Sequence, residues 1–144
     1  MAHTLKVRNQ GSYLHLIAEG DTTVEDVTGY LAEALKKCTE LRCPNVLIGE
    51  NLKGPSLGIF AVYEIVTKIC WQAASVVRQV AYVDTNPESK KEVNQFAETT
   101  AINRGVNVKL FETVAEAENW LEKTILVQQS SLKPKESGSR CDCT

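Results

Sequence analysis

An α/β domain built on a mixed, mostly parallel sheet is the fold class this sequence predicts, on three observations. Short apolar runs with strand character alternate with longer segments whose apolar residues recur every three to four positions. A hairpin pattern opens the chain. The 144 residues, 43% hydrophobic and 24% charged, suffice for one core and leave little for a second domain. Alternating strands and helices require crossover connections and hence parallel neighbours, while the hairpin adds an antiparallel member. The expected order is ββαβαβαβα, with about four helices in a single domain over 1–127 and a polar, mobile tail over 128–144.

The elements follow in order. Leu5 and Val7 alternate with Lys6 and Arg8, Asn9-Gln10-Gly11-Ser12 supplies turn chemistry, and Tyr13 to Ala18 alternates again. Thr22 and Thr23 stand three residues before Glu25 and Asp26, the capping pattern of a helix start. Val24, Val27, Leu31, Ala34, Leu35 and Cys38 form that helix's apolar stripe. Asn45-Val46-Leu47-Ile48 has the look of a strand buried on both faces, and a turn, GENLKGPS, follows over 49–56. Leu57 to Val77 has helical character, with Glu64 and Lys68 four apart on one face. Val80 to Val83 is a second buried strand ending at Asp84, after which Asn86 and Pro87 are expected to cap and open a helix with Val93, Phe96, Ala97 and Ala101 inward. Gly105 suits a left-handed terminator. Val106, Val108 and Leu110 alternate as in an edge strand, and Thr113 with Glu116 opens the last helix.

In such sheets ligands gather beyond the carboxyl ends of the strands, so the loops expected there, carrying Glu50, Asn51 and Asp84, are the first candidates for a site. GENLKGPS departs from the phosphate-cradling pattern GxxxxGK[ST] by placing Pro55 where the lysine belongs. Proline removes both a cation and an amide donor, so nucleotide hydrolysis is not expected. Ser56 is read as the cap of the second long helix, and a serine at a helix N-terminus is also placed to carry or contact a phosphate. Phosphorylation there would add about −1.5 to −2 charges at the start of that helix.

Several function classes are disfavoured. A net charge of −2 and a pI near 5.7 provide no basic footprint for nucleic acid. No apolar run approaches the ~18 residues of a membrane span, and MAHTLKVRN lacks the apolar core of a signal peptide, so a cytoplasmic protein is expected. Cys38, Cys43, Cys70, Cys141 and Cys143, with only His3 and His15 beside them, lack the ligand spacings of zinc sites, and neither a metal nor another cofactor is expected. No pattern assembles a nucleophile, a base and an orienting acid, so no catalytic residue is assigned and the protein is read as a non-enzyme. Glu50 is taken to be solvated and Asp84 to satisfy turn amides.

The C-terminal third carries a more specific pattern: Asn103-Arg104-Gly105, a strand closing in Phe111, and Ala117-Glu118-Asn119-Trp120-Leu121. These residues resemble the SpoIIAA-like branch of the STAS (sulfate transporter and anti-sigma factor antagonist) fold, and the element order agrees with that fold over roughly Leu5 to Leu126. Anti-sigma factor antagonists of this fold carry a regulatory serine in a DSxG-like motif at the start of the second helix. Pro55-Ser56-Leu57-Gly58 falls on that position, with Ser56 and Gly58 matching and Pro55 replacing the aspartate. The resemblance implies a regulatory or protein-interaction domain, switched by charge at Ser56.

On the second helix Ile59, Val62, Val66 and Ile69 cluster on one face, while Phe60, Tyr63, Thr67 and Trp71 line a flank next to the polar strip. That flank either packs under a neighbouring element or forms a surface for a partner. The partners considered are a regulatory protein, a second copy in a homodimer, and a small apolar or lipid-like ligand held against Phe60, Tyr63 and Trp71.

Overall fold

The computed structural model describes residues 3–132. Nine elements follow one another: β1 (Thr4–Asn9), β2 (Leu14–Asp21), α1 (Val24–Leu41), β3 (Asn45–Lys53), α2 (Ile59–Ala73), β4 (Gln79–Asp84), α3 (Lys91–Asn103), β5 (Asn107–Phe111) and α4 (Val114–Leu132). The strands lie side by side in chain order, β1 antiparallel to β2 and all later pairs parallel. This is the expected α/β architecture with a five-stranded mixed sheet and four helices.

The topology determines where the helices sit. Three crossovers of the same hand, stepping in one direction from β2 to β5, must stack their helices on one face of the sheet. Accordingly Tyr30, Ala34 and Cys38 of α1, Cys70 and Ala73 of α2 and Ala101 of α3 share a core with Leu14, Leu16, Val46 and Ile48. Helix α4 lies on the opposite face, where Ala117, Leu121 and Ile125 meet Leu47, Ala81, Val83 and Tyr13.

Local chemistry accounts for the element ends read correctly. The Thr23 side chain accepts the Asp26 amide at 3.1 Å, and Thr113 does the same for Glu116 at 3.2 Å. Gly105, at φ +94°, ends α3 where a side chain would be strained.

Three expectations at the carboxyl edge need correction. Residues 49–53 are strand: β2 continues to pair through Gly20 with Leu52 and Asp21 with Lys53, so the ladder runs on until Gly54, at φ +104°, turns the chain. Glu50 and Asn51 are therefore strand residues and not loop residues. The second long helix starts at Ile59 with Gly58 at its N-cap, so Ser56 does not cap it. Asn86 does not cap the third, which begins at Lys91 with no side-chain cap. Asn86 instead donates to the Gly54 carbonyl at 2.8 Å and accepts the Glu88 amide at 3.0 Å, tying the two neighbouring loops together.

The expected tail, 128–144, begins inside α4, and from 133 onward it lies outside the described residues, as do Cys141 and Cys143. Cys38, Cys43 and Cys70 are buried free thiols. Among the described residues no helix is long and apolar enough to cross a membrane, and no three His, Cys, Asp or Glu side chains are grouped to hold a metal.

Candidate functional site

Helix α2 packs against α3 and α1 and sends Cys70 and Ala73 into the core, leaving open space beside them above the strands. The space so left is a cavity of about 190 Å³ between α2, its two neighbouring helices and the sheet. Its walls are apolar over most of their extent, with Ile65, Val66 and Ile69 from α2, Val27 and Leu31 from α1 and Val80 and Val108 from the sheet among them.

One polar cluster interrupts that lining. Parallel pairing sets Glu50 of β3 beside Asp84 of β4, and in-register neighbours project to the same face, so both carboxyls belong to the cavity side. Tyr82, two residues before Asp84, shares that face, and Tyr30 enters from the inner stripe of α1. The Tyr30 hydroxyl donates to Glu50 Oε2 and the Tyr82 hydroxyl to Oε1. Glu50 is 9% exposed and Tyr30 2%, contrary to the expectation of a solvated glutamate.

Removal from water pushes the Glu50 carboxyl up from its ordinary 4.5 to about 7; the two phenols pull the other way and Asp84 adds to the rise. Burial, reinforced by the Glu50 charge, pushes both phenols well above 10. Asp84 satisfies turn amides as expected, accepting Asn86 N at 2.9 Å through Oδ1, and also accepts Asn94 Nδ2 at 2.9 Å through Oδ2. Glu98 of α3, also on the lining, accepts the Leu110 amide at 2.8 Å. Among the described residues no lysine, arginine or histidine lines the cavity.

The structure brings Glu50, Asp84 and Ser56 to one cavity, although they are separated in sequence. The Ser56 hydroxyl accepts the Lys90 amide at 2.6 Å, linking the loop before α2 to the loop before α3. Asn51, the residue after Glu50 on β3, accepts the Thr85 hydroxyl at 2.5 Å, and Gly58 serves as the α2 N-cap. The aromatic flank divides. Phe60 and Trp71 are each 87% exposed, whereas Tyr63 is tied to α3: its hydroxyl accepts from Arg104 at 2.9 Å, and its ring lies 6.4 Å from that of Phe96. Thr67 is half-buried, its hydroxyl closed off from solvent without a hydrogen-bond partner.

Sequence reasoning missed Tyr30 and Tyr82 as site residues. Tyr30 falls three residues after Val27, on the period of the stripe, and that spacing was a usable signal.

No family model matches the chain, and no curated protein does. Among solved structures it is similar to an uncharacterised protein of the DUF3478 family from Shewanella loihica, described as having a SpoIIAA-like fold. The two superpose with a TM-score of 0.52 at 20% identity, covering 83% of this chain and 93% of that one. The chain has a SpoIIAA-like fold.

Proposed function

We propose that this SpoIIAA-like domain binds a small, largely apolar molecule in the cavity roofed by α2. The observation that carries the reading is the void itself. Hydrocarbon walls that face such a space lack partner atoms across it, and the packing contacts they would otherwise make are forgone. A guest that fills it returns that packing and stabilises the fold by linkage. The reading is one of binding and not turnover. The thiols on the lining are poor nucleophiles, since burial pushes Cys38 up to about 12 and raises Cys70 as well. Ser56 keeps a regulatory role in this proposal: it lines the cavity and joins two loops, so a charge placed on it acts on occupancy.

Native mass spectrometry of protein purified from cells tests the idea. A small molecule should copurify with the wild type and be absent from Val66→Phe, which fills the space from α2. Wild-type protein that always emerges empty, and whose melting temperature no small apolar compound raises, would overturn it.

A second reading has its own observation, the exposure of Phe60 and Trp71. These two residues and the exposed pair Glu64 and Lys68 share nearly one midpoint on α2. In an antiparallel pairing of two copies, Phe60 faces Trp71 while Glu64 faces Lys68, a self-complementary contact of the kind a two-fold dimer requires. Sedimentation equilibrium should then show a dimer that Trp71→Glu dissociates. A monomer at high micromolar concentration would remove this reading.

A further inference from the structure

We infer that the molecule taken into the cavity carries one basic nitrogen, protonated when bound, and seats it against the Glu50 carboxylate. This rests on the binding reading above and adds the chemical class of the ligand. The polar end of the cavity offers acceptors more than donors. Both phenol hydrogens at the polar end, those of Tyr30 and Tyr82, already point into Glu50, and one N–H of the Asn94 amide goes to Asp84. What remains open there is acceptor capacity, because an ionised carboxylate has about four lone-pair sites and the two phenols occupy one on each oxygen. A ligand carbonyl or carboxylate set against Glu50 would meet two acceptor oxygens and no free phenol hydrogen, and burying it unpaired there is costly. An ammonium brings only donors.

Charge on the lining has the same sense. Glu50, Asp84 and Glu98 are the ionisable acids on the lining, and among the described residues no basic side chain answers them. Glu50 is buried with hydrogen bonds but with no opposite charge, an arrangement that favours neutralisation or a cationic partner. Its upward displacement to about 7 agrees with that geometry. Anionic lipids and phosphorylated metabolites are disfavoured by the same walls. Size narrows the class further: the volume somewhat exceeds the roughly 150 Å³ of an engineered apolar cavity that takes benzene, so the body of the ligand is about one ring or a short chain.

Three compounds of one shape separate the possibilities: benzylamine, benzyl alcohol and benzoate, titrated calorimetrically into the full chain at about pH 8, where Glu50 is ionised. Benzylamine should bind about tenfold or more tighter than benzyl alcohol, the worth of a charge-assisted hydrogen bond, and benzoate should not bind. Glu50→Gln should erase the amine's advantage and leave the alcohol's affinity in place. Equal binding of amine, alcohol and acid would overturn the ligand class while leaving the cavity reading intact. Failure of all three to bind would overturn both. If Glu50→Gln does not fold, the ranking of the three compounds on wild-type protein decides the matter.

Discussion

Under α4, the sheet presents Leu47, Ala81 and Val83 to Ala117 and Leu121, all of them at most 1% exposed, and side chains of this chain fill the layer. On the opposite face α1, α2 and α3 share a core with the strands but together also line a cavity that includes a buried carboxyl. One sheet thus carries a closed core and a hollow one. The difference is one of packing: α4 buries its stripe against the sheet, while the helices opposite leave an apolar volume between themselves and the strands.

The sharpest way to break this comparison is to truncate one aliphatic side chain on each side. Leu121→Ala should cost about 4 kcal/mol, because a fully enclosed side chain is removed and its surroundings cannot collapse. Ile65→Ala, on the cavity lining, should cost about 2 kcal/mol, since part of its surface already faces empty space. Denaturant unfolding measures both. Equal losses would mean that α2 is packed as tightly as α4.

Acidity sharpens the comparison next. The folded state holds the Glu50 proton to about 7 while the unfolded chain releases it near 4.5, so the native state binds more protons between those values. The contribution of Glu50 to stability is therefore full below about 4.5, falls as pH rises through the window, and is gone above about 7, a total of about 3 kcal/mol. His15, lowered by burial, acts in the opposite sense just below its ordinary 6.5, so the difference between wild type and Glu50→Gln isolates the carboxyl. On the α4 face the buried phenol Tyr13 is pushed up to about 12 and leaves this window untouched. Guanidinium unfolding at several pH values should show the wild-type slope flattened in Glu50→Gln; parallel profiles would mean that the carboxyl is solvated after all.

Much of this architecture was legible because it is local. The hairpin at Asn9 to Ser12, the Thr23 and Thr113 caps and the alternation at Val106 to Leu110 each follow from neighbours in sequence, and so does the element order. The C-terminal pattern around Asn103-Arg104-Gly105 and Trp120 pointed to the SpoIIAA-like fold that the superposition shows. The site was less legible. Glycine, glutamate and asparagine over 49–51 read as a turn, and only pairing with β2 and β4 makes them strand. A cavity is harder still, since the apolar stripe of α2 has the same periodicity whether the space beneath it is filled or empty. Ser56 and Asn86 have capping chemistry, yet both spend it between loops, on Lys90 and Gly54, rather than on their own helices.

That last difference yields the smallest effect. Thr23 caps α1, an 18-residue helix with Glu25 and Asp26 in its first turn, so Thr23→Ala should cost about 1 kcal/mol. Helix α2 has neither device: its N-cap is Gly58 without a side-chain bond, and no acid occupies its first turn. Removing the Ser56 hydroxyl therefore costs no cap, only an exposed hydrogen bond to Lys90, and Ser56→Ala should lose a few tenths of a kcal/mol at most. Its consequence should be local, because the link it breaks helps hold the loop that leads into the cavity's roof. Native-state hydrogen exchange should show α2 amides opening at lower free energy than those of α1, and Ser56→Ala should widen that gap while leaving α1 and α4 unchanged. Equal protection of α1 and α2 would mean that the roof is as firmly seated as the walls, and a ligand would then have to enter by a route other than the movement of α2.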